Sequence, residues 1–187
     1  MTRLATTLTT LAAALGLAGA AQAATDTATV GPFQVTGNVP ALCAGGTVSN
    51  SDTVFALGVL IDTATGFMLP NLSAPPKTVT GSFCNTRSTI SITATPLTAQ
   101  AFEGAAPTGF TKAVDYTATA SGWTTTAASF TTDAASNPAA TQNRNTAFTG
   151  DITVAVSGFS PVGGPALRLV SDPNYQGTVT VTLAAVS

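Results

Sequence analysis

The side chains to weigh first for chemistry are eight carboxylates: Asp26, Asp52, Asp62, Glu103, Asp115, Asp133, Asp151 and Asp172. Glycoside hydrolysis needs two of them set across a scissile bond. Acids scattered along the whole chain always allow some pair, so the spacing singles none out. Asp52, Asp62, Asp133 and Asp172 fall in expected turns, where an Asp bonds the nearby backbone. Asp62-Thr63-Ala64-Thr65-Gly66 has the outline of a calcium loop but lacks the paired acids and the closing Glu. The chain contains no histidine, which removes Ser-His-Asp and Cys-His catalysis and the commonest metal ligand. Lys77 and Lys112 bring a Ser–Lys pair to mind, but no S-x-x-K occurs, and neither glycine-rich phosphate motif is present. Trp123, Tyr116 and Tyr175 could stack on a sugar ring, although one Trp and two Tyr are more simply core or edge residues. The expectation is no enzyme, no metal site and no cofactor.

The remaining reactive pair is Cys43 and Cys84, and the compartment decides its chemistry. Residues 1–23 read as a secretory signal peptide: Arg3 supplies the positive start, residues 4–17 the apolar stretch, and Ala21-Gln22-Ala23 the cleavage site. The apolar stretch is short for a membrane-spanning helix, which needs about 20 apolar residues. No later segment reaches that length without polar interruption, so no transmembrane segment is expected in the mature chain. The reading is a secreted mature protein, soluble or surface-assembled outside the cytoplasm. In an oxidising compartment two cysteines are most simply one disulfide, with free thiols or a metal site as the alternatives.

Composition narrows the partners. Only 7% of the 187 residues are charged, against the usual quarter, and Thr, Ala, Ser and Gly take their place. A mean hydropathy of +0.36 and a net charge of −2 argue against wholesale disorder, which combines low hydrophobicity with high charge. Six Lys and Arg in total form no basic stripe for nucleic acid.

The elements expected to carry these residues are strands. Thr178-Val179-Thr180-Val181-Thr182-Leu183 alternates with a period of two, which fits a strand with one face in a core and one in water. Residues 151–157 place Ile152, Val154 and Val156 on one face, and residues 88–95 do so with Ile90, Ile92 and Ala94. Val114, Tyr116, Ala118 and Ala120 form a fourth such face. Val79, Gly81 and Phe83 suggest a fifth, running into Cys84. Residues 54–61 are continuously apolar, as in a strand buried on both sides. Residues 127–140 are read as a loop, and 136–145 as the most polar and exposed stretch. Several short strands in one modest domain predict a β-sandwich or barrel.

Four motifs carry a resemblance to a known family. Asn38-Val39-Pro40-Ala41-Leu42-Cys43 is an apolar lead-in to an early cysteine. Val54-Phe55-Ala56-Leu57-Gly58 ends in Leu-Gly, where the family often has Phe-Gly. Val79-Thr80-Gly81-Ser82-Phe83-Cys84 brings in the second cysteine ahead of Ile90-Ser91-Ile92. The chain closes on Tyr175-Gln176-Gly177-Thr178-Val179-Thr180-Val181-Thr182-Leu183. In this order the mature chain resembles a fimbrial subunit of the chaperone–usher type, most of all the spore coat protein U-like branch.

The resemblance implies an all-β, immunoglobulin-like β-sandwich lacking one strand, over residues 40–187. It implies a structural subunit of a pilus or surface coat that polymerises by donor-strand complementation, with other copies or related subunits, a periplasmic chaperone and an outer-membrane usher as partners. Residues 24–39 are then a donor extension, with Val30, Phe33 and Val35 as the inserting side chains, and the alternatives are an ordinary first strand of a closed domain or a frayed terminus. Val179, Val181 and Leu183 become the edge of the receiving groove. The other function class is a secreted stand-alone β-sandwich binding module, for carbohydrate or a surface ligand.

Overall fold

The computed structural model describes residues 30–186; the expected signal peptide and residues 24–29 lie outside the described residues. The chain divides after Asn38. Residues 30–38 contain no strand.

From Val39 onward the chain is built from β-strands. They are β1 (Cys43–Ala44), β2 (Thr47–Val48), β3 (Lys77–Cys84), β4 (Ser88–Ala94), β5 (Leu97–Ala99), β6 (Phe110–Thr111), β7 (Ala113–Ser121), β8 (Ala128–Thr131), β9 (Thr141–Arg144), β10 (Phe148–Pro161), β11 (Arg168–Leu169), β12 (Tyr175–Gln176) and β13 (Val179–Ala185). One sheet runs β1-β3-β10-β7-β5-β12, with β2 also on β3 and β8 also on β7, and a second runs β13-β4-β9. Every pair in both sheets is antiparallel, and a small parallel pair joins β11 to β6. The fold is an all-β sandwich. Among the described residues no helix is long and apolar enough to cross a membrane.

The alternating pattern explains the core. β-branched and small apolar residues suit the pleated backbone, and every second one turns inward. Ile90 and Ile92 from β4 meet Tyr116, Ala118 and Ala120 from β7, and Ile152, Val154 and Val156 from β10. Trp123, fully buried, donates its indole N–H to Ser88 Oγ at 3.2 Å and packs edge-on against Phe148. The outward positions of the β13-β4-β9 sheet carry only hydroxyls, one amide and one methyl: Thr89, Ser91 and Thr93 on β4, Thr180, Thr182 and Ala184 on β13, and Thr141 and Asn143 on β9.

Three sequence expectations change. First, Val79, Gly81 and Phe83 do not share the inward face: Val79 packs on the core, but further along Ser82 and Cys84 are the buried residues and Phe83 turns outward. Gly81, at φ +74°, takes the extra residue of a β-bulge, because Ser82 pairs with Gly150 while Val79 pairs with Ile152. A bulge reverses the alternation beyond it, and Asp151 Oδ1 holds this one by accepting the Gly81 N–H at 3.1 Å. Second, residues 54–61 form no strand beyond a single bridge at Ile61. Third, β8 falls within the stretch expected to be loop, and β9 within the one expected to be most polar and exposed.

The cysteines are cross-strand neighbours on β1 and β3 and form a disulfide. Its span of 41 residues restricts the unfolded chain by roughly 4 kcal/mol in the loop-closure picture.

Candidate functional site

The site is built on the edge strand β13. Thr95 donates its N–H to Thr178 O at 3.0 Å, and Val186 donates to Arg87 O at 2.8 Å. Both contacts continue the β13–β4 register. In an antiparallel pair, backbone groups of alternate residues point to opposite sides of the strand. Even-numbered residues of β13 therefore bond to β4, while the N–H and C=O of Val179, Val181, Leu183 and Ala185 point away from it. β13 is an edge strand of its sheet, so these groups find no ladder partner among the described residues. The same register turns the side chains of Val179, Val181 and Leu183 inward, where they are only half buried against the core. Inward apolar side chains and unpaired backbone thus coincide along one edge.

At the start of β13 this edge opens into a cavity of about 660 Å³ whose lining includes Phe55, Leu97, Tyr116, Phe159, Tyr175 and Val179. The chain reaches it by passing from β12 in one sheet to β13 in the other at Gly177, where a Cβ would lie 2.6 Å from Thr95 O, so no larger residue fits the crossing. Tyr116 stacks on Phe159 and donates its hydroxyl to Thr178 O at 3.1 Å; burial pushes its pKa up. Tyr175 donates to Val170 O at 2.9 Å, and burial and the nearby Asp172 charge raise its pKa.

Residues 53–60 run beside this cavity. Asp52 pins their start by pairing with Lys77 and accepting the Val54 N–H at 3.1 Å. The Lys77 hydrogen bond, reinforced by the Val54 amide, holds the Asp52 carboxyl below the ordinary carboxylate range. Phe55 packs against the core and, like Leu57, is half buried, whereas Val54 and Val59 are each 65% exposed. A second cavity of about 570 Å³, lined in part by Leu60, Leu169 and Asp172, lies along the same segment.

The other candidates serve the fold locally. Asp62 and Asp172 accept the N–H groups of Ala64 and Asn174, two residues on, as turn aspartates do. Burial pushes the Asp172 carboxyl up, but the N–H groups of Asn174, Ala101, Phe102 and Gln100 outweigh it and leave the pKa below the usual value. Asp115 is buried and accepts the Thr132 hydroxyl at 2.7 Å. No cluster of three or more metal-ligating side chains occurs among the described residues. Trp123 and Tyr116 are buried and Tyr175 is half buried, so none of the three presents an exposed ring.

Of the expected donor side chains, Val30, Phe33 and Val35 are 78%, 81% and 98% exposed. The structure places Val179, Val181 and Leu183 at alternate positions of the edge strand β13. The wall supplied by Phe55, Leu97 and Phe159 was not identified from sequence. Its one signal was the apolar run at residues 54–61, which lacks the alternation of a paired strand.

No family model, curated protein or solved structure matches this chain.

Proposed function

We propose that this protein is a secreted structural subunit of a pilus or surface coat, of the chaperone–usher, spore coat protein U-like kind that its motifs resemble. In this reading the sandwich is immunoglobulin-like and one strand short, and the extension of one copy completes the groove of the next. A periplasmic chaperone and an outer-membrane usher are the implied handling partners. The observation that carries the reading is the coincidence along β13 of half-buried Val179, Val181 and Leu183 with unpaired backbone groups. An added strand satisfies both at once, since main-chain bonds supply affinity and alternate side chains fill the groove.

Pro32 selects the geometry. With Phe33 and Val35 turned inward, Pro32 turns outward. In antiparallel pairing, inward donor residues bond to the inward-facing residues of β13, so outward residues direct their backbone groups to the opposite side. The N–H that proline lacks is then never required by β13. The same register run parallel, or the shifted register run antiparallel, would place Pro32 where β13 needs a donor.

Burying Phe33 and Val35 stabilises the union by roughly 1.5–3 kcal/mol each. Phe33→Asp with Val35→Asp instead puts charges in the groove at a cost the pairing cannot recover. The double variant is expected to be exported and folded yet to form no polymers by size-exclusion chromatography and electron microscopy. A wild-type protein that stays monomeric, with residues 24–39 shielded from protease in its own fold, would overturn the reading.

A further inference from the structure

We infer that residues 53–60 form a hinged strap that lies along the groove in the unassembled subunit and lifts to admit the incoming strand. The inference rests on the donor-strand reading and concerns how that groove is opened. The strap is held at its ends and loose between them. Asp52, paired with Lys77, fixes one end. At the other, Leu69 donates to Leu60 O and Asp62 to Phe67 O, each at 2.9 Å, around a bridge between Ile61 and Met68. From Phe55 to Val59 no backbone group has a hydrogen-bond partner among the described residues.

Buried backbone groups are normally paired, so an apolar run that makes no ladder bonds is not settled as a strand. Of residues 53–60 only Phe55 packs against the core, with Leu57 and Leu60 half buried. Space adjoins the segment, because the cavities of about 660 and 570 Å³ share Val54, Phe55, Leu57, Leu97 and Tyr175 in their walls. Lifting the strap joins them into one trough beside the start of β13. A segment with few buried contacts and exposed amides opens at low free energy, and fixed ends make that opening a swing rather than a fraying. Gly58, at φ +71° and with open space where a Cβ would sit, gives the swing a pivot.

The acceptor for the test is the mature Phe33→Asp/Val35→Asp chain, whose own extension cannot compete, and the probe is a synthetic peptide of residues 24–39. By hydrogen exchange, amides 55–59 of the acceptor are expected to exchange at least ~100-fold faster than those of β4 and β7. A binding step gated by a conformational change is slow, so Leu57→Ala, which loosens the strap, is expected to raise the peptide association rate about 10-fold. Lys77→Gln, which releases the front pin and removes the ammonium that lies over the Phe55 ring, is expected to raise it by roughly 3-fold. Slow exchange at 55–59, or peptide uptake that neither substitution accelerates, overturns the strap and leaves the donor reading standing. Peptide uptake by no form of the protein overturns the donor reading and the gate together.

Discussion

β4 and β13 lie side by side in one sheet with the same inward alternation, and Ile92 pairs with Val181 as Ile90 pairs with Leu183. Yet both isoleucines are fully buried while Val181 and Leu183 remain half exposed. Residue type does not account for this. β4 is flanked by β9 and β13 and lies under β7 and β10, whereas β13 is an edge strand. The contrast teaches that an inward-facing pattern records where a strand is suited to be buried, and that the remaining cover has to come from elsewhere.

The contrast can be broken or sharpened by substitution. If it depended on the crosslink, Cys43→Ala with Cys84→Ala would erase it. The expected result is a loss of about 4 kcal/mol in the free energy of unfolding, read from denaturant titration, with β4 amides still exchanging more slowly than those of β13. Next in size is Ile92→Ala, which removes a fully buried side chain and is expected to cost about 3 kcal/mol. Val181→Ala, at the paired position, is expected to cost only about 1 kcal/mol in the unassembled protein because water already reaches part of that side chain. Equal costs at the two positions in urea titrations would mean that β13 is as well covered as β4.

The smallest effect concerns acid. The folded-state pKa of Asp172 lies below its unfolded value, so its contribution is complete above the ordinary carboxylate pKa of about 3.9 and is lost as pH falls through the depressed one. Unfolding midpoints are expected to decline below about pH 4, with a shallower decline in Asp172→Asn. Because Asp172 ties together loops beside the 570 Å³ cavity, amides in residues 100–102 should lose protection in acid before those of β4.

Much of the sandwich was legible because alternation is a direct trace of burial on one face. Ile152, Val154 and Val156, like Tyr116, Ala118 and Ala120, lie buried where a period of two places them. Where the trace fails, a local cause is visible. At β3 the bulge at Gly81 reverses the phase. At β9 the inward residues are Gln142 and Arg144, so no apolar alternation exists to be read; Arg144 lies over the Phe148 ring at 3.5 Å and donates to Trp123 O. Residues 54–61 misled in the other direction, since an unbroken apolar run equally fits a segment that lines two cavities. The β13 strand was legible as alternation at residues 178–183, but the wall of the cavity beside its start is assembled from residues far apart in sequence.

Between Ser88 and Ala94 on β4, and along β13 and β9, the outward face of the β13-β4-β9 sheet carries no ionisable group. A hydroxyl can donate or accept as it rotates, so this surface keeps its water at any pH and in any salt. Two copies approaching along it meet a short-ranged hydration barrier in place of the long-ranged repulsion that charge would supply. Ionic strength should therefore be a weak lever on association through this face.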